Sequence, residues 1–201
     1  MSESARRVVV LGTAGSGKST LARALAARGG ADHVELDGLH HGPNWTPVPR
    51  EVFRERVAAA TDGASWAVDG NHIDAVGESL WPRADTIVWL DLPLPLILVR
   101  IVRRSVGRIL RRTELWSGNR ETWRGLLGRD SLVGWAVSSH RRHRAELPLR
   151  LASPRLTGVR VLRLRSSAEA DRWLASLPAR RGPRVSRRRP ACGRGACPPG
   201  A

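Results

Sequence analysis

Nine consecutive residues near the amino terminus carry the strongest chemical signal in the chain: Gly12, Thr13, Ala14, Gly15, Ser16, Gly17, Lys18, Ser19 and Thr20. They meet the spacing G-x-x-x-x-G-K-[ST], whose glycines let successive backbone N–H groups turn inward around a phosphate. The positive end of a following helix points at the same place. Lys18 then reaches toward the terminal phosphates of ATP, and Ser19 can ligate Mg²⁺. Lys18 is also the only lysine in the chain, every other member of the 34 lysines and arginines being arginine. A compact ammonium on a thin stem suits this position where a planar guanidinium fork does not.

Phosphoryl transfer needs a carboxylate to hold Mg²⁺ and often a second one to orient or deprotonate the acceptor hydroxyl. Asp37, Asp69 and Asp91 each follow a strand-like run, so all three fall on the edge of a sheet that carries ligands. Asp69 is assigned the metal role together with Ser19, and Asp37 the acceptor side. Asp91 is read as a turn or cap residue. Arg100 and Arg104 lie four apart on one helical face, with Arg103, Arg108, Arg111 and Arg112 extending the basic surface toward Thr113 to Trp123. Arginines on a mobile lid stabilise charge on a moving phosphoryl group. The candidate catalytic set is therefore Lys18, Asp37, Asp69, Arg100 and Arg104, and Arg141, Arg142 and Arg144 are placed to return to the same cleft. His40 and His41, near Trp45, are candidates for touching the acceptor, but they lack a third ligand for a metal. Trp66 and Trp89 sit inside strands and are read as core, whereas Trp116 and Trp123 flank the lid region.

These residues need a scaffold that brings them to one rim. Arg7 to Leu11 reads as a strand buried on both faces, and Ser19 to Arg28 as a helix ended by Gly29-Gly30. His33 to Leu36 is a second strand, followed by the turn-rich stretch Leu39 to Pro49. Arg50 to Thr61 is helical, Trp66 to Val68 a third strand and Thr86 to Leu90 a fourth. A helix is expected from Leu94 to Arg112, with Pro93 and Pro95 at its start. Another is expected from Arg120 to Arg144, interrupted near Gly125 and Gly128. Val159 to Leu164 is the fifth strand and Ala168 to Leu177 the closing helix. Strands alternating with helices imply an α/β fold with a five-stranded parallel sheet in a three-layer α/β/α sandwich. Residues 1–177 form one domain with a lid at about 105–125. Residues 178–201 are an Arg/Pro/Gly-rich tail, expected to be disordered.

The 201 residues and ordinary apolar content exclude a membrane-spanning or wholly disordered chain. The amino terminus lacks the apolar core of a secretion signal, so a cytoplasmic location is expected. Seven tail arginines account for +7 of the +16 net charge. That basicity suits an anionic ligand and implies non-specific contact with nucleic acid through the tail. Cys192 and Cys197 both lie in the tail and cannot staple the core. Nothing in the chain fixes an oligomeric state.

In this order, the phosphate loop, Leu36-Asp37, Asp69-Gly70-Asn71 and the Arg100/Arg104 helix resemble the adenylate-kinase-like P-loop kinases. The resemblance is nearest to the bacterial group labelled topology modulation protein or AAA-family ATPase. It spans about Arg7 to Arg144, through Gly12 to Thr20, Leu36-Asp37 with Pro43-Asn44-Trp45, Trp66 to Asn71 and Ala84 to Asp91. It implies an ATP-binding core, a short acceptor insert after the second strand and an arginine-bearing lid. Adenylate kinases carry Asp-Gly-Phe-Pro-Arg where this chain has Asp69-Gly70-Asn71-His72-Ile73, so the arginine that would hold an acceptor phosphate there is missing. The expected activity is transfer of the ATP γ-phosphate to a small acceptor, with nucleosides and nucleotides the first candidates. The alternatives are a nucleotide-dependent regulator or toxin-like ATPase with no dedicated acceptor, and a nucleic-acid-binding protein.

Overall fold

The computed structural model describes residues 6–128 and 131–178. Strands β1 (Arg7–Gly12), β2 (Asp32–Glu35), β3 (Trp66–Asp69), β4 (Thr86–Leu90) and β5 (Arg160–Leu164) form one sheet in the order β2-β3-β1-β4-β5. Every pairing is parallel. β1 lies at the centre because Val8, Val9, Val10 and Leu11 are apolar on both faces, and all four are buried. Their alternation sorts the core into two layers. Val9 and Leu11 join Phe53, Trp66, Trp89 and Leu147 on one face. Val8 and Val10 join Leu21, Ala22, Leu25 and Ala67 on the other.

The helices are α1 (Lys18–Gly29), α2 (Leu36–His40), α3 (Arg50–Ala60), α4 (Glu78–Leu80), α5 (Leu94–Leu110), α6 (Trp123–Leu127), α7 (Leu132–Leu151) and α8 (Ser167–Ser176). Single turns at Pro43–Trp45, Ile73–Gly77, Trp81–Arg83, Trp116–Gly118 and Pro154–Leu156 fill the connections. A third apolar cluster, Leu92, Ile97, Ile101, Leu126 and Ala136, lies where α5, α6 and α7 meet. It supports the phosphate loop from below, since Ile97 and Ile101 approach Gly15 directly.

Several expected boundaries move. The second strand ends at Glu35, and Asp37 stands in the first turn of α2 instead of at a strand end. Gly38 lets the chain turn there at once, which a strand continuing to Leu36 would prevent. The helix expected over Arg120 to Arg144 is two, because Thr122 and Ser131 each cap a new amino terminus by accepting from Gly125 N and Gly134 N. α7 then continues past Arg144 to Leu151, carrying Pro148 in its last turns. Trp66 and Trp89 are core. The tail from residue 179 onward, with Cys192 and Cys197, lies outside the described residues.

Candidate active site

The phosphate loop emerges from the carboxyl end of β1 and opens α1. Gly12, Gly15 and Gly17 have φ of +145°, +80° and +97°, values that L side chains rarely adopt. Space is also denied to Gly12 and Gly15: a Cβ on Gly15 would stand 2.7 Å from Ile101 Cγ1 and 2.9 Å from Ile97 O. The loop closes on itself through Ser16 N to Thr13 O at 3.0 Å. Asn71 clamps its start from the β3 side, its Nδ2 donating to Gly12 O at 2.8 Å and its Oδ1 accepting from Gly12 N at 3.1 Å. Ser16 Oγ is buried without a partner among the described residues. This is a cradle of the shape and polarity that a polyphosphate fills.

Lys18 folds back over the loop and donates to Thr13 O at 3.3 Å. Desolvation lowers its pKa, opposed by the nearby carboxylates of Asp37 and Asp69. On its other side Ser19 Oγ donates to Asp69 Oδ1 at 2.8 Å, so the residues assigned to a metal do meet. Asp69 is fully buried at the end of β3, and its second oxygen is held by His33 Nε2 at 2.7 Å. His33 was not singled out in the sequence because strand alternation alone does not say which polar face meets a neighbour's carboxylate. Among the described residues no group of three His, Cys, Asp or Glu side chains is arranged to hold a metal. Ser19 and Asp69 stand side by side here as a hydroxyl–carboxylate pair.

Asp37 lies in the same cavity, about 1820 Å³ in volume, and its Oδ1 is 2.9 Å from His72 Nε2. Burial alone would raise its pKa, but the His72 hydrogen bond and the charge of Lys18 outweigh that and hold it below the usual carboxylate range. His40 packs edge-on against Phe53 and at a tilt against His72, and desolvation lowers its pKa. His72 comes from the stretch after β3 that also supplies Asn71, a stretch the resemblance includes without giving either residue a role.

The lid region is seated on the insert formed by α2 and the Pro43–Trp45 turn. Asn119, buried, accepts from Trp45 N at 3.0 Å and donates to Gly42 O at 2.9 Å. Ser117 Oγ donates to His41 O, and Trp116 Nε1 donates to Glu35 Oε2 at 3.0 Å. The Trp116 indole lies so close to Gly38 that a Cβ there would stand 2.8 Å from it. Trp123 is half exposed and takes no part.

The arginines divide by partner. Arg104 opens into the cavity, its pKa lowered by desolvation and by Arg108. Arg100 lines it too but donates to Ser167 Oγ at 2.8 Å, reaching the start of α8. Arg108 is held by Glu121 at 2.7 Å. Arg144 does not return to the cleft. With Arg163 it grips buried Asp91 at 2.7 Å and 2.6 Å, and Arg163 stacks over Trp89. Asp91, expected as a turn or cap residue, instead pins α7 to the sheet through these two arginines. His143, one helical position away, is buried and lines the cavity. Desolvation, with Lys18 adding, pushes its pKa down to about 4.

No known family profile matches the chain. A shikimate kinase of Paramagnetospirillum magneticum is 29% identical over 120 residues, which are 53% of this chain and 62% of that protein. The chain thus matches less than two-thirds of that relative's length. Among solved structures, the shikimate kinase of Bacteroides thetaiotaomicron superimposes with a TM-score of 0.50 at 14% identity, covering 85% of this chain and 94% of that one. A gluconokinase of Sinorhizobium meliloti 1021 gives 0.48 at 18% identity over 85% and 91%. The Bacteroides structure thus shares the fold of this chain, which here is a five-stranded parallel sheet with flanking helices.

Proposed function

We propose that this chain is an ATP-dependent phosphotransferase that moves the γ-phosphoryl group of ATP, with Mg²⁺, to a hydroxyl of a small acceptor such as a nucleoside or nucleotide. The observation that carries the reading is one continuous cavity lined by the phosphate loop, Lys18, Ser19 and Asp37, with Asp69 buried behind Ser19. A nucleotide binder without an acceptor has no use for a second carboxylate on a lidded insert. The names of the relatives, shikimate kinase and gluconokinase, point to the same reaction class. The further resemblance to the topology modulation group, a cytoplasmic location and nucleic-acid contact through the tail are parts of the same proposal that rest on sequence alone.

In this reading the amides of residues 12–19 and Lys18 hold the polyphosphate, and Arg104 faces the transferring group from the lid helix. Ser19 and Asp69 would hold Mg²⁺, which supplies neutralisation of charge on the β- and γ-phosphate oxygens. His33 fixes the Asp69 carboxylate by occupying one of its oxygens, leaving the other directed at Ser19. The acceptor hydroxyl, aligned by Asp37, attacks the γ-phosphorus. The new O–P bond forms as the bond to the β,γ-bridging oxygen breaks, that oxygen leaves with the electron pair on ADP, and the hydroxyl proton passes to Asp37.

The test is ADP release by the full chain with ATP and Mg²⁺ against a panel of small hydroxyl compounds, for the wild type and Lys18→Ala. Acceptor-dependent turnover that drops by at least ~100-fold in the variant is expected, the loss seen when one charge-stabilising group is removed. Equal rates in the two proteins would remove the phosphate loop from the chemistry.

A further inference from the structure

Asp37 and the phosphate cradle come from strands that are not neighbours. The cradle follows β1 and Asp37 follows β2, and β3 lies between them in the sheet. The segment that leaves β3 touches both. Gly70 lies so close to Leu36, the residue before Asp37, that a Cβ on it would stand 2.7 Å from Leu36 Cβ. Asn71 reaches the other way and holds Gly12, the first residue of the cradle, through two hydrogen bonds. His72 turns back to α2, its Nε2 standing 2.9 Å from Asp37 Oδ1. Three consecutive residues thus tie the acceptor carboxylate to the phosphate loop.

The His72 ring is itself held. Its centroid lies 4.3 Å from that of His40 and 5.0 Å from that of Phe53, which is fully buried. Its carbonyl accepts from Ala75 N at 3.1 Å and from Val76 N at 3.0 Å, which anchors the main chain behind the ring. This hold matters because other groups compete for the Asp37 charge. Lys18 from the loop and Arg104 from α5 both act on it, and His41 does so from its own helix. A carboxylate free to rotate is drawn onto such cations, the same ones that a polyphosphate takes up. A hydrogen bond to one oxygen removes that freedom and leaves the other oxygen for an acceptor hydroxyl.

Resting on the phosphotransferase reading above, we infer that His72 is a positioning residue for the transfer step: it holds Asp37 Oδ1 so that the second oxygen meets the acceptor hydroxyl, in register with the phosphate cradle that the adjoining Asn71 clamps. In this role His72 contributes no proton and meets no reacting atom. The proton of the acceptor hydroxyl still passes to Asp37.

Two substitutions separate this role from packing. His72→Phe keeps a ring against His40 and Phe53 and removes the donor, whereas His72→Gln gives up the ring and keeps an amide N–H for Asp37 Oδ1. The assay is ADP release by the full chain with ATP and Mg²⁺, with adenosine, glucose, shikimate and gluconate as acceptor probes. With the probe that stimulates turnover most, His72→Phe should lower kcat by ~10-fold to 100-fold, the loss that follows when a reacting group is slightly misplaced, while KM for ATP stays within ~3-fold of the wild type. His72→Gln should recover most of that kcat. A Gln variant no better than the Phe variant, or a KM for ATP that rises as much as kcat falls, overturns the inference. A second readout needs no acceptor: the titration of Asp37 followed by NMR of its side-chain carboxyl carbon in the nucleotide-free chain. The donor favours the ionised carboxylate, and Lys18, Arg104, His40 and His41 remain in both variants. The midpoint should therefore move up in His72→Phe and stay near the wild type in His72→Gln. An unmoved midpoint in His72→Phe sinks the inference whatever the turnover shows. If the midpoint moves as expected but no probe stimulates turnover, it is the transfer reading that has failed, and the positioning role goes with it.

Discussion

Asn119→Ala isolates the clasp between lid and insert. The Asn119 side chain makes two hydrogen bonds to backbone groups of the insert, with Trp45 N and Gly42 O, and is buried. Each such bond contributes about 0.5–1.5 kcal/mol net, so losing both costs the seated lid ~1–3 kcal/mol. At about 1.4 kcal/mol per factor of ten, the opening equilibrium shifts by roughly 5-fold to 100-fold. The lid turn itself should persist, because Leu115 N to Asn119 O at 2.7 Å and Asn119 N to Trp116 O are backbone bonds that alanine keeps. Amide hydrogen exchange reads the result directly. The Trp45 amide, whose acceptor is the Asn119 side chain, should exchange at least ~10-fold faster, while the amides of β1 and β4 keep wild-type protection. Asn119→Asp, which retains the acceptor but not the donor, should fall between. If Trp45 protection is unchanged, the clasp does not hold the lid. If β1 protection falls in parallel, Asn119 supports the whole fold and the local account is wrong.

Four further perturbations address the site and its scaffold. Asp69→Asn should lower Mg²⁺-dependent turnover by ~100-fold while metal-free nucleotide binding changes little, measured by ADP release and by titration with the nucleotide in chelator; equal losses in both would make Asp69 structural. Gly15→Ala should cost ~2 kcal/mol or more in urea unfolding and abolish nucleotide binding, since φ is +80° and the Cβ meets Ile97 O. Gly107→Ala in the interior of α5, where a Cβ meets nothing, should by contrast stabilise by ~0.5–1 kcal/mol. His143 has a folded pKa of about 4, below its unfolded value, so protonation favours the unfolded chain. Its contribution is complete above the unfolded pKa of ~6.5 and is lost as pH falls toward 4, to a total of ~3 kcal/mol. Urea midpoints from pH 7 to 4.5 should therefore fall more steeply for the wild type than for His143→Asn, and parallel curves would refute the assignment.

The phosphate end was legible because its physics is local. A run of β-branched residues, a glycine loop with fixed spacing and a helix start lie within one continuous segment, and each demands the next. Asp69 followed from the same logic, since β3 neighbours β1 and their carboxyl ends share a rim. Asp37 was found for a reason that proved incomplete: it stands at the rim, but on a helical turn after β2. The arginines were legible only as a set. Spacing put Arg100 and Arg104 on one face, and both line the cavity, yet only Arg100 donates to Ser167, a difference set by α8, which starts more than sixty residues away. Arg144 and Arg163 meet Asp91 across 53 and 72 positions, and no local pattern announces such a pin.

The insert end was the least legible part, and the reason bears on how the protein works. It is assembled from three short pieces: Glu35 to Trp45, Asn71 to Asp74 and Trp116 to Asn119. The first carries only the short helix α2 and the others are turns, none presents the repeated apolar face that makes an element readable, and the first and third meet through side-chain hydrogen bonds, three to backbone groups and one between Trp116 and Glu35. Such junctions contribute about 1 kcal/mol apiece, whereas the cradle is fixed by the central strand and by close-packed Ile97 and Ile101 beneath it. On the proposed reading, the close packing surrounds the polyphosphate, which has to be held in one geometry, and the weaker contacts surround the acceptor, which has to enter and leave.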